Sequence, residues 1–282
     1  MSELAFEKGL EIFNNNEINQ TKKKSKGRGY YDTVDQETNA ASSDGKDELE
    51  KPAVYVSTDL KGWLNKEASN YKGLVVPRPF RGKYNQFIGC VDEALDRLSN
   101  KYELAATINV PDDESQLSKQ LINAIDDLLT KAQLPESLCE QVRSDTSHLG
   151  CTVASLCPSS KSLAVKLEIF GENTCSRWHV DHYIGRGIVT YTGNIGTEFT
   201  RDSNVDFWEL KHCGKNEHVI KDKKLVKNVA VGDILFMKGA KFTPGVDGLV
   251  HKSPEKQYHE NGKIFNRLML KIDALSPDAA IF

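Results

Sequence analysis

The chain has 282 residues, 39% of them hydrophobic and 27% charged, which is enough to bury the core of one large domain with appendages. A formal net charge of −3 gives no overall electrostatic case for nucleic acid or an anionic membrane as the partner. The apolar runs are too short for a membrane-spanning helix.

The N-terminus, MSELAFEKGLEIFN, alternates charged with apolar residues and lacks the apolar core of a signal peptide, so a cytoplasmic location is expected. Residues 1–14 suit a short amphipathic helix, with Leu4, Phe6, Leu10 and Phe13 near one side. Residues 15–51 are polar and poor in aliphatics and cannot bury enough surface to offset their ordering entropy. Residues 1–51 are therefore expected to be a flexible segment. Its basic run, Lys22, Lys23, Lys24, Lys26 and Arg28, reads as a solvated linker, with a nuclear-localisation patch as the other reading. Six cysteines at irregular spacings include no C-x-x-C pair. Together with the missing export signal this predicts reduced, mostly buried thiols rather than bridges or a zinc ribbon.

Residues 52–150 are expected to form a helical support region. Phe87, Ile88, Val91, Leu95 and Leu98 recur at helical spacing, as do Leu117, Leu121, Ile122, Ile125, Leu128 and Leu129, with Ser115 in the cap region. A third, shorter helix is predicted in PESLCEQVRSD. The apolar stripes of these helices need a partner surface, and a sheet supplies one.

From about residue 151 short strands take over. SLAVKLEIF, 162–170, puts Leu163, Val165, Leu167 and Ile169 on one face with Lys166 and Glu168 on the other. GIVTYTG, VDFWEL, HVIKD, GDILFMKG, GLVHKS and FNRLMLKID read as further strands separated by Gly, Asn, Asp and Pro. The predicted class is α+β, mainly β: a jelly roll over residues 151–282, flanked by N-terminal helices.

Within RWHVDHYIGRG, His179 and Asp181 stand two apart, so on a strand both face the same way. Either they aim at a metal or they form a surface salt pair. His182 alternates away and is expected outside the site. His251, in GLVHKSP, lies 72 residues beyond His179 and offers a third ligand. Two histidines and a carboxylate on one face of an ion leave the opposite face open, the arrangement of oxygen-activating non-haem iron sites. Asp233 is read as a turn former. Arg267, in FNRLMLKID, shares a strand face with Met269 and Lys271. A guanidinium inside such a roll is costly unless it pairs with an anion, and a dicarboxylate co-substrate would satisfy it.

The ordered set His179-x-Asp181, GT, GDILF, VHKSP and Arg267 resembles the Fe(II)/2-oxoglutarate-dependent oxygenases with a double-stranded β-helix core. That resemblance implies that His179, Asp181 and His251 bind Fe(II). It implies that Arg267 binds the distal carboxylate of 2-oxoglutarate and that the Thr197 hydroxyl assists the co-substrate. It also implies O2 as second co-substrate, succinate and CO2 as products, and hydrogen abstraction from a C–H bond, with no catalytic side chain beyond the ligands. The polar N-terminus and the triad are similar to those of the algal kainoid synthases, which close a pyrrolidine ring. A small, amino-acid-derived carboxylate substrate is expected on that basis. Arg177, Arg186, Arg201, Lys166 and Tyr191 are the candidates for holding it. Three other readings stay open: a cupin-type metalloenzyme without 2-oxoglutarate, a non-catalytic β-sandwich binding module, and a protein-hydroxylating enzyme.

Overall fold

Strand alternation sorts the side chains of this protein into a helix-facing layer and a site-facing layer. The computed structural model describes residues 51–79, 82–98, 102–212 and 214–276. The predicted N-terminal helix, the flexible segment up to residue 50 and the basic run lie outside the described residues. Among the described residues ten strands are formed: β1 Val54–Val56, β2 Gly73–Val76, β3 Glu103–Asn109, β4 Ser162–Phe170, β5 Gly185–Thr190, β6 Glu198–Phe199, β7 Lys227–Asn228, β8 Ile234–Lys238, β9 His251–Lys252 and β10 Arg267–Ala274. Five α-helices accompany them: α1 Ile88–Arg97, α2 Glu114–Ala132, α3 Glu136–Leu156, α4 Phe207–Lys211 and α5 Asn216–Val219.

The large sheet has the order β1-β2-β8-β5-β10-β4-β3 and is antiparallel except where β1 meets β2. The small sheet has the order β7-β6-β9. The result is a mainly β, jelly-roll architecture flanked by helices, open along one side rather than a closed barrel. Between residues 52 and 150 the helices are joined by three strands of the large sheet, β1 to β3, which the helical reading of that region did not include.

One face of the large sheet packs on the helices. Leu163, Val165, Leu167 and Ile169 of β4 meet Leu268, Leu270 and Ile272 of β10 and the buried stripe Leu117, Leu121, Ile125, Leu128 and Leu129 of α2. Each such leucine or isoleucine contributes roughly 1.5–3 kcal/mol by leaving water. Asp113 caps α2 by accepting from the Ser115 amide at 2.9 Å. Helix α3 runs 21 residues, about twice the predicted length, because Leu149 and Val153 continue its buried stripe. The other sheet face divides in two. Near β1, β2 and β8 it is apolar and closes on the small sheet through Val75, Ile188, Leu235, Met237, Phe199 and Leu249. Near β3, β4 and β10 it is charged.

Two expected strands are helices instead. In VDFWEL the Asp206 carboxylate accepts from the amides of Trp208 and Glu209, both at 3.0 Å, and starts α4. In HVIKD the first half belongs to α5, and only Ile220 makes a β-bridge, to Val205. The apolar alternation there was real, but a capping aspartate decided the local structure.

A candidate metal centre between the sheets

His179 and Asp181 lie not on a regular strand but on the connection between β4 and β5, which meets β9 in a single antiparallel bridge. In that bridge the His179 amide donates to the His251 carbonyl and the His251 amide donates back, both at 3.0 Å. The pair therefore sets two distant histidines side by side, with ring centroids 4.4 Å apart. Asp181 is fixed by its own carbonyl, which accepts from the Ala240 amide at 2.8 Å. Gly239 permits that approach: a Cβ there would collide with the Tyr183 carbonyl oxygen.

His179 Nε2 lies 3.7 Å from Asp181 Oδ1, and His251 Nε2 lies 3.5 Å from Asp181 Oδ2. One ligand atom from each residue falls within 4.8 Å of the others. Ligands about 2.1 Å from a shared divalent ion at right angles stand about 3 Å apart, so small adjustments would close the set on a metal. The second ring nitrogens support that use. His179 Nδ1 donates to the Arg177 carbonyl at 2.8 Å and His251 Nδ1 to the Leu249 carbonyl at 2.9 Å. Both bonds favour the tautomer whose Nε2 lone pair points into the site. Asp181 Oδ2 is buried and takes no hydrogen bond, although Arg186 Nη1 lies 2.9 Å from it, so it keeps an acceptor position that a cation would satisfy. Burial pushes the Asp181 carboxyl up, but Arg186 foremost and then the two histidines hold it below the ordinary range. Burial pushes His251 down to about 4, against the attraction of Asp181.

That depression has a measurable consequence in the metal-free protein. The unfolded chain takes up a proton near pH 6.5, which the folded His251 refuses until about pH 4. Stability from this group is full above pH 6.5 and is lost as pH falls toward 4, by up to about 3 kcal/mol. Thermal unfolding with a chelator present should show Tm falling across that window, and His251→Gln should flatten the slope.

Arg267 of β10 is 2% exposed and shares the inner face with Met269 and Lys271. Its Nη2 reaches Thr174 Oγ1 at 3.4 Å, and its Nη1 is buried without a partner. No carboxylate among the described residues faces it, and burial alone pushes the guanidinium down to about 10. Gly193 leaves room for its stem, since a Cβ there would lie 3.0 Å from Arg267 Cδ.

A cavity of about 410 Å³ opens beside His179 and His251, with Thr197, Arg177, Arg186, Met269 and Lys271 on its walls. Arg186 lines the cavity but is committed elsewhere: its Nη1 donates to Asp181 Oδ1 at 2.9 Å, and Nε and Nη2 donate to both oxygens of Asp273. Its expected role as a substrate anchor is corrected to one inside the site. Lys166 likewise faces Glu103 at 3.3 Å and Asp273 at 3.6 Å. Tyr191 is a further correction: it is fully buried on the helix side and its hydroxyl donates to Asp145 at 2.8 Å. Strand parity explains this, because 191 shares the face of Val189 and not that of Arg186 and Ile188. His182 is exposed, outside the cluster, and Asp233 accepts from the Arg78 amide at 2.8 Å in its turn. The residue missed from sequence was Asp273. Its signal was a carboxylate on the same inward face of β10 as Arg267 and Lys271.

Cys90, Cys139, Cys151, Cys157 and Cys175 are free thiols. Burial pushes Cys157 up to about 12, so it is inert, whereas Cys175 is exposed on the cavity rim. Among the described residues no helix is long and apolar enough to cross a membrane.

Residues 73–273 match the model of a family described as "Protein of unknown function (DUF1826)". No curated protein matches the sequence. Three solved structures illustrate the likeness found among folds. The dioxygenase for auxin oxidation 1 from Arabidopsis thaliana, in complex with 2-oxoglutarate, is 10% identical over 80% of this chain and 93% of its own, with a TM-score of 0.42. The Fe(II)/α-ketoglutarate-dependent dioxygenase TqaL is 13% identical over 77% of this chain and 85% of its own, with a TM-score of 0.36. A prolyl-4-hydroxylase from Pseudomonas putida is 9% identical over 77% of this chain and 99% of its own, with a TM-score of 0.36.

Proposed function

The chain belongs to the DUF1826 family, and for this member of a family of unknown function we propose an Fe(II)- and 2-oxoglutarate-dependent oxygenase that oxidises a C–H bond of a small molecule. The observation that supports this most is the pairing of two features within one fold. His179, Asp181 and His251 bring one ligand atom each within 4.8 Å of the others, and Arg267 is buried on the inner sheet face with no carboxylate facing it among the described residues.

Bound Fe(II), 2-oxoglutarate and O2 would supply the oxidation itself, with succinate and CO2 released. The chain's part is to hold and orient. His179, Asp181 and His251 present one face of donors and leave the other open. Arg267, with Thr174 beside it, offers charged donors to the far carboxylate of the dicarboxylate. Thr197 adds a buried hydroxyl at the cavity wall. Phe170, Trp178, Leu210, Val219 and Met269 make the rest of that wall largely apolar, which excludes water and suits the hydrocarbon part of a substrate.

Arg177 lines the cavity beside His179, and on that position it is the anchor we propose for a small, amino-acid-derived acid. Hydroxylation, desaturation and kainoid-type ring closure share the same first step and are all within this proposal. The burial of Arg267 favours it over a cupin-type site without 2-oxoglutarate, for which an outward arginine would be natural.

Anaerobic addition of Fe(II) and 2-oxoglutarate to the full chain is expected to develop the visible charge-transfer band of an iron chelate. Absence of the band at saturating ligand would sink the proposal.

A further inference from the structure

Asp181 has two oxygens, and the structure treats them differently. Arg186 Nη1 stands 2.9 Å from both, but only donation to Oδ1 has hydrogen-bond geometry. Oδ2 takes no hydrogen bond and faces His251 Nε2 at 3.5 Å. Arg186 cannot drift from this task. Its Nε and Nη2 grip both oxygens of Asp273, which is 0% exposed and directly opposite it in the β5–β10 register. The guanidinium also lies over the Tyr183 ring, 4.6 Å from its centroid. A planar fork held at three nitrogens sets an angle that a point charge would not.

We propose that Arg186, braced by Asp273, is a positioning residue that confines Asp181 to one-oxygen coordination of the metal. The inference rests on the ligand assignment above. Its physical content is simple. An oxygen engaged by a guanidinium is a poorer donor to a cation, so Oδ1 is withheld and Oδ2 serves alone. The carboxylate then takes a single coordination position. The positions left over are those that a chelating co-substrate and dioxygen need.

The test uses Co(II) as an oxygen-stable probe on the full chain, read by its d–d absorption and by titration. Wild type should bind Co(II) with a spectrum unchanged between preparations and with one Asp181 oxygen on the ion in a Co(II)-soaked crystal. Arg186→Lys should weaken binding roughly 10–100-fold and alter the d–d bands, as expected when a ligand's support is lost. Asp273→Asn, which is isosteric, should do the same more mildly. It serves where Arg186→Lys fails to fold by circular dichroism. Wild type that binds no Co(II) overturns the ligand assignment itself, and the brace with it. Wild type that binds normally while a folded variant matches it in affinity and spectrum overturns the brace alone. Both oxygens of Asp181 on the ion in the wild-type crystal also overturn the brace, whatever the variants do.

Discussion

Asp181→Ala is expected to lose metal binding and succinate formation together, by more than the roughly 10–100-fold that loss of a merely supporting group costs. The reason lies in how little else holds the set. His179 is 42% exposed in its side chain and His251 is 5% exposed, so the two rings would meet an ion from opposite environments, and of the three proposed ligands the carboxylate alone carries negative charge. Without it, two imidazoles remain and no anionic donor is left to hold a divalent cation. Stability should suffer less, because Asp273 still neutralises Arg186: loss of one charged hydrogen bond costs about 1.5–3 kcal/mol. Calorimetric titration with Mn(II) and thermal unfolding of the metal-free protein separate the two effects. A variant that still binds metal like wild type would remove Asp181 from the ligand set.

Arg267→Met carries the second large effect, and its sign differs between function and stability. The KM for 2-oxoglutarate should rise steeply, since truncating one partner of a buried charge pair costs about 2–5 kcal/mol. The metal-free, co-substrate-free protein should instead become more stable, by about 1–3 kcal/mol, because an unsatisfied buried polar group has been removed. Gains in Tm that accompany loss of co-substrate affinity identify a group kept for binding rather than for folding. Succinate release at graded 2-oxoglutarate and a Tm measurement on the same preparation check both halves. If Tm falls and KM stays, Arg267 is structural.

How much of this was legible in the sequence depended on whether one rule governed the segment. Strand β4 and helix α2 follow a single clear period, and the expected and observed elements agree closely for both. The H-x-D pair was read by strand parity although it sits on an irregular connection. A single β-bridge at His179 provides the local geometry that the rule assumed. Helix α4 was misread because its alternation was stronger to the eye than its capping aspartate. The short strands β1 and β2 carry too few residues for any period to show. The pairing of Arg186 with Asp273 needed the β5–β10 register, which no local pattern contains. The isolation of Arg267 is a property of everything around it, visible only once the neighbours are in place.

The reciprocal amide bonds between residues 179 and 251 close the intervening chain into a loop tied at its neck. Whatever happens to the length of the excursion between them, the two imidazoles keep their mutual spacing. The exposed turn at 243–246 lies on that excursion, with Val246 49% exposed. Extra residues could be accommodated there, and the mouth of the cavity reshaped, while the knot that positions the ligands stays tied.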